Sequence, residues 1–372
     1  MKRKIVNQSK PPQRNSTQRN STLDVIRIVA VLSVISVHFF LNTEFYQQII
    51  RKDDLTMFLA VYMRTSFMVC VPLFIILTGY LMNRKKLSLS YYKGILHTIG
   101  IYLIISIFCL IYKGTKGGQT ITPLVGLQGI LNFSADDYSW YIEMYLGLFL
   151  LIPFLNLIYN HLGTKREKQV LILTLFVLST LPSICNVYEM KIVPAWWSGV
   201  WPILYYFIGC YIREYPLKLS WLWHLVLFVV VVFVSTKYNI HRSLDKAFEG
   251  QLYNDWYGWQ NVLSTTLLFS LLGKMNLEKL PVTVKRILYW ISRLSLGIYL
   301  ASWIADQYVY PKLRMTVPDF GDRIPYFGIT VLRVFTGAFI LALAAEVIYL
   351  ILSKGGMMIV GLFQEDKKAI RK

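Results

Sequence analysis

The sequence predicts an all-α polytopic membrane protein with about ten transmembrane helices and both termini in the cytoplasm. Three observations carry that prediction. Of the 372 residues, 55% are hydrophobic and the mean hydropathy is +0.47. Only 16% are charged, against about a quarter in soluble domains. Apolar runs long enough to cross a roughly 30 Å hydrocarbon core recur from end to end. Such a chain buries its apolar surface in a bundle of spanning helices rather than in a globule.

The expected spans are 23–42, 56–82, 95–112, 138–160, 170–186, 196–212, 220–236, 259–272, 287–304 and 327–352. Together they make a membrane domain over residues 23–352. Before it, residues 1–22 (MKRKIVNQSKPPQRNSTQRNST) are polar and basic and read as a disordered cytoplasmic tail. A cleaved signal peptide does not fit, because the apolar run that follows is too long and lacks a small-residue cleavage site. Thr22 is the expected cap of the first helix, with Asp24 in its positive first turn. The stretch from Pro123 to Phe133 reads as a short interfacial or re-entrant helix. Residues 353–372 form a cytoplasmic tail whose basic residues flank an apolar patch, so it can lie along the inner surface.

The net charge of +19 suggests nucleic acid only until its distribution is examined. Segments on the side of the termini hold 24 Lys and Arg. The opposite loops hold 11, balanced by 12 acidic residues. The positive-inside rule then makes both termini cytoplasmic, and no nucleic-acid partner is needed. Cys70, Cys109, Cys185 and Cys210 all lie in apolar runs without metal-site spacing. They read as small buried hydrophobes, and no metal site is expected.

Ionisable groups at membrane depth are costly and mark function by default. Here they are Arg27, His38, Arg64, Glu143, Arg293, Arg333 and Glu346. Arg293 and Glu346 lie close to span ends, where snorkelling is the ordinary explanation. Arg27 and His38 are eleven residues apart, which leaves them about 20° from eclipsed on one helix face and roughly 16 Å apart along it. One face of the first helix therefore carries a cation near the inner surface and an imidazole deeper in. Asp24, three residues before Arg27, can pair with it. A guanidinium suits a phosphate, and an imidazole suits proton transfer near neutral pH. A long ligand with phosphates at one end, such as coenzyme A, has that shape. The competing reading is a snorkelling Arg and a His satisfied by helix packing.

Four segments resemble the acyltransferase-3 family of membrane O-acyltransferases. LDVIRIVAVLSVISVH carries an Arg, ten residues and a His, as Arg27 and His38. VPLFIILTGYLM, WYIEMYLGLFLLIPFLN and LSLGIYL are similar to the family's later motifs, and they occur in its order. The resemblance spans residues 23 to 352 and implies acyl transfer, usually of acetyl, from cytoplasmic acyl-coenzyme A to a hydroxyl. It implies a cell-envelope glycan or its lipid-linked precursor as acceptor and a bacterial plasma membrane as location. Acetyl-coenzyme A would be a substrate, with no permanently bound cofactor. Arg27, with Asp24 and Arg293, makes the candidate donor site, and His38 is general base or acyl relay. Ser295 and Tyr299 belong to the late motif. Many relatives carry a second His after GIYL, where this chain reads GIYLAS and ends in Ser302; Ser302 or water is expected to fill that space.

Arg64 and Glu143, opposite in charge and similar in predicted depth, are expected to pair on the acceptor side. Trp140 and Tyr141 lie there among Trp196, Trp197, Trp201, Tyr253, Trp256, Tyr257 and Trp259. Sugar stacking competes with an aromatic belt at the interface, which is the ordinary reading. The loop from Lys237 to Gly258, long and mixed in charge, is the better candidate for acceptor recognition. A secondary transporter or glycan exporter is the alternative function, although the internal repeat common in transporters is not evident. Oligomeric state is not legible in the sequence.

Overall fold

The computed structural model describes residues 20–186, 190–250 and 254–369, with side chains as far as 353. The N-terminal tail through residue 19 lies outside the described residues, as does Tyr253. The described residues are helical with no β-strand, and isolated bridges join Ile49 to Ala247 and Ile50 to Leu244.

The chain opens with α1 (Ser21–Asn42). Its cap is Asn20, whose side chain accepts from the Thr22 N–H at 3.0 Å. Thr22, the expected cap, instead donates its hydroxyl to the Met275 carbonyl at 3.0 Å. The single expected span 56–82 is broken into α2 (Leu55–Phe67) and α3 (Cys70–Met82). Pro72 explains the break, since it has no N–H to offer the Met68 carbonyl and its ring crowds that oxygen.

After the short α4 (Leu89–Lys93) come α5 (Leu96–Thr115) and the expected short helix α6 (Pro123–Leu131), capped by Thr122. Next are α7 (Trp140–His161) and α8 (Lys165–Cys185), the latter started by a capping box of Thr164 and Glu167. They are followed by α9 (Trp201–Glu214), α10 (Trp221–Arg242) and α11 (Trp259–Gly273). Helix α12 (Val282–Thr316) runs far beyond the expected 287–304. The short α13 (Phe320–Arg323) precedes α14 (Phe327–Ala369), whose backbone stays helical through most of the expected C-terminal tail.

Among the described residues, eight helical segments are long and apolar enough to cross a membrane. Helices α9 and α11, at 14 and 15 residues, are shorter than that group. Each of the ten expected spans nevertheless contains a helix.

Helix α1 packs between α3, α12 and α14, α12 packs along α14, and α3 packs on α9. The α3–α9 crossing is a backbone contact made by two glycines. A Cβ on Gly79 would fall 2.0 Å from the Tyr206 carbonyl oxygen, and one on Gly209 would fall 2.0 Å from that of Ile76. Small residues permit this approach, which supplies close packing where lipid offers no hydrophobic drive. Cys70, Cys109 and Cys210 are buried free thiols, Cys185 is half-buried and free, and no metal-binding cluster occurs among the described residues.

Candidate functional site

Part of the α1 face expected to carry the chemistry borders a cavity. Arg27 and Val34, two turns apart, both border a space of about 170 Å³. The opposite walls come from α3 (Phe74, Thr78), α7 (Tyr141, Tyr145) and α12 (Ser295, Tyr299). Arg27 stands at one end. Its guanidinium lies 3.7 Å from Asp24 and donates to the Ser292 hydroxyl at 3.4 Å, and its side chain is 29% exposed. A partly solvated guanidinium held by a carboxylate and a hydroxyl is suited to an anion.

His38 lies one turn beyond Val34, past the mapped cavity. Its ring stacks on Tyr138 at 3.8 Å between centroids and lies 6.4 Å from Tyr299. The imidazole Nδ1 is buried and sits 3.8 Å from Asp306 Oδ2, beyond hydrogen-bond reach. The side chain as a whole is 12% exposed. Asp306 itself is fully buried on α12. Its Oδ2 accepts from the Tyr138 hydroxyl at 2.6 Å and from Asn42 Nδ2 at 3.5 Å. Asn42 Nδ2 also reaches the His38 carbonyl at 2.9 Å. Tyr138 is fixed in turn by Tyr299, whose hydroxyl donates to the Tyr138 carbonyl at 2.6 Å.

This is an imidazole with one nitrogen turned to a buried, oriented carboxylate, one helical turn from the cavity. Such a carboxylate selects the ring tautomer and stabilises the imidazolium formed when the ring takes a proton. Catalytic contacts are commonly long before substrate is bound.

Asp306, Tyr138 and Asn42 carry no mark of this site in the sequence. Hydropathy ends the expected span at 304, so Asp306 read as part of an outer loop. Ser302, expected to fill the space of a second His, is buried and donates to the Tyr299 carbonyl at 2.7 Å. Its hydroxyl serves its own helix, and the group facing His38 is Asp306, one turn further along.

Other expectations need correction. Arg64 does not pair with Glu143. It is buried at 5% exposure, donating from Nε to the Tyr46 hydroxyl at 2.9 Å and from Nη1 to the Asn254 carbonyl at 3.0 Å. Phe248 lies 5.1 Å from the guanidinium carbon. Glu143 is exposed on α7. Similar depth did not bring the two together, because rotation about the helix axis decides which side chains face. Arg64 instead anchors the loop after α10, which begins at Ser243 since Lys237–Arg242 belong to that helix. In the same loop, burial raises the Asp255 carboxyl, although Arg64 and the Trp256 N–H act against the shift.

Arg293 does not line the cavity. Its Nε and Nη2 donate to Glu346 Oε1 and its Nη1 to the Tyr289 hydroxyl, so neither Arg293 nor Glu346 is explained by snorkelling. Trp140 packs edge-on against Trp256 at 5.3 Å rather than bordering the cavity, whereas Tyr141 borders it.

A family model described as an acyltransferase domain matches residues 20–350. No curated protein and no solved structure matches the chain. The match covers nearly the whole described structure, including the Arg27–His38 helix, the cavity walls and Asp306. The chain is a multi-pass membrane protein of the acyltransferase-3 family.

Proposed function

We propose that the protein moves an acyl group, acetyl in the first instance, from cytoplasmic acyl-coenzyme A to a hydroxyl of a cell-envelope glycan or its lipid-linked precursor. The setting is a bacterial plasma membrane, with ten crossings and both termini cytoplasmic. Contacts support the alternation that ten crossings need: α8 and α9 meet through Lys168 and Glu214 at 2.6 Å, and the start of α1 meets the end of α11 through Thr22 and Met275.

The observation that carries the reading is the α1 stripe. Arg27 borders one end of the cavity, apolar walls line its middle, and His38 with Asp306 lies one turn past Val34. Arg27 grips a phosphate of the donor. Val34, Phe74 and Leu77 suit the arm that carries the thioester. His38, its Nδ1 turned to Asp306, takes the proton of the acceptor hydroxyl on Nε2. The freed oxygen attacks the thioester carbonyl carbon, the carbon–sulfur bond breaks, and the imidazolium returns its proton to the leaving thiolate. Products are an ester and free coenzyme A.

The test uses membranes containing the full chain and labelled acetyl-coenzyme A. Label should reach the envelope glycan with wild type and fall by about 10²–10⁴-fold in His38→Ala. Glycan export without acyl transfer would instead identify a transporter. A trapped acyl-imidazole on His38 would replace base catalysis with a relay. Arg27→Ala should raise the KM for donor more than that for acceptor.

A further inference from the structure

A second, larger space lies on the far side of α12 from His38. It is a groove of about 560 Å³ between α5, α12 and α14. Its walls include Phe108, Ile111, Ile340 and Leu341. Ile111 and Ile340 are more than half exposed, so the groove opens outward to lipid. Two cations border it, Lys116 at the end of α5 and Arg333 six residues into α14. Both are exposed, and neither is in an ion pair among the described residues.

The register places those cations relative to the site. Gly337 on α14 packs against Ala305 on α12, beside Asp306. Arg333 is one turn from Gly337 toward the start of α14, about 6 Å beyond the Asp306 level. A guanidinium at that depth on a lipid-facing surface seeks an anion at the head-group boundary. Oxygen-rich phosphate matches both cations.

The groove also connects to the chemistry. Tyr112, on its wall, packs edge-on against Trp303 at 5.8 Å, and the Trp303 indole N–H donates to Asp137 at 3.1 Å. The next residue, Tyr138, covers the His38 ring. A group held at the cationic end thus lies next to the short segment that roofs His38.

We propose that this groove docks the acceptor as a lipid-linked phosphate ester. Its hydrocarbon tail lies along α5 and α14, its phosphate meets Lys116 and Arg333, and its sugar is directed past Tyr112 and Trp303 toward His38. The sugar's role rests on the acyl-transfer reading above; the lipid-phosphate site does not. An ordinary bilayer phospholipid is the rival occupant. The ladder from Tyr112 to Tyr138 favours the acceptor, since it leads from the head-group end to the reacting imidazole.

The test uses the full chain in phosphatidylcholine nanodiscs with N-acetylglucosamine linked to farnesyl diphosphate, the tail carrying a diazirine. Photolabel should map to α5 and α14 residues of the groove. It should fall by about tenfold or more in the Lys116→Gln, Arg333→Gln double variant, and excess phosphatidylglycerol should not displace it. Ile340→Trp, which fills the groove without touching either cation, should also block labelling and serves if the double variant does not fold. Labelling spread over α8 and α10, labelling unchanged by the variants, or displacement by phosphatidylglycerol would each overturn the proposal. His38→Ala should label like wild type. Groove labelling without acyl transfer to any acceptor would remove the function proposed above and leave the site standing.

Discussion

Among the described residues, two histidine–carboxylate pairs join neighbouring helices, and they are built differently. His97 on α5 meets Glu346 on α14 with 2.9 Å between Nε2 and Oε2, while the other carboxylate oxygen takes two bonds from Arg293. Arg293 is held further by Tyr289. Both carboxylate oxygens of Glu346 are engaged in that cluster. At His38 and Asp306 the ring and carboxylate stand 3.8 Å apart, and Asp306 Oδ1 and His38 Nδ1 have no partner among the described residues. Among the described residues, no arginine or lysine forms an ion pair with Asp306. A finished network holds helices in register, whereas an unfinished buried one keeps capacity for a charge that appears during reaction.

The largest effect that can break this contrast comes from exchanging the two imidazoles for alanine. His38→Ala should lower kcat by about 10²–10⁴-fold with the fold intact. His97→Ala should leave kcat near wild type and lower the melting midpoint instead. Steady-state rates and thermal melts in the same detergent decide it. Equal losses of kcat would erase the distinction between a working pair and a bracing one.

Glu346→Ala comes next. It strands Arg293 and frees His97 together. Breaking one partner of a buried pair costs about 3–5 kcal/mol, and the lower end applies because the Arg293 side chain is 34% exposed and water screens it. A melt should show the loss, and the folded fraction should still turn over. A melting midpoint unchanged by Glu346→Ala would show that the cluster does not brace α5, α12 and α14.

The sequence made one half of this comparison legible and hid the other. Arg27 and His38 could be placed on one stripe because both belong to one helix, where spacing alone fixes the angle. Asp306 could not, because its approach to His38 depends on how α12 packs against α1. Hydropathy also stopped short of it: α12 continues helical to Thr316 while its composition turns polar. The same limit explains Arg64 and Glu143, whose signs and depths matched while their faces did not. Arg293 and Glu346 each resemble a lone charge near a span end in the sequence, and only the packing of α12 on α14 shows them to be one group. Thr22 and Asn20 differ by two residues at a helix start, where several polar residues compete to cap.

Asp306→Asn sharpens the comparison from the carboxylate side. Asparagine keeps the size and the acceptor for Tyr138 but removes the charge that would face an imidazolium. Loss of such an orienting partner should lower kcat by less than loss of the imidazole itself, with the KM for donor unchanged. A structural role alone would lower the melting midpoint and spare kcat. Gly209→Ala is the matched control for pure packing. Its Cβ would strike the Ile76 carbonyl oxygen at the α3–α9 crossing, so it should reduce yield and melting midpoint while the folded protein keeps its kcat.

The smallest expected effect is the most informative about why the Asp306 pair is open. The Tyr138 hydroxyl takes Asp306 Oδ2 at 2.6 Å, the same oxygen that lies nearest His38 Nδ1. Tyr138→Phe removes that claim while the ring still stacks on His38. The freed oxygen can then turn toward Nδ1, so the lost hydrogen bond is offset by a closer ring–carboxylate contact. A net hydrogen bond is worth about 0.5–1.5 kcal/mol, and kcat should therefore change by less than about tenfold. Tyr138→Ala removes the roof as well and should cost more than Tyr138→Phe. If the two variants lose activity equally, the hydroxyl rather than the ring holds Asp306 and His38 in their working arrangement, and the open geometry is set by Tyr138 alone.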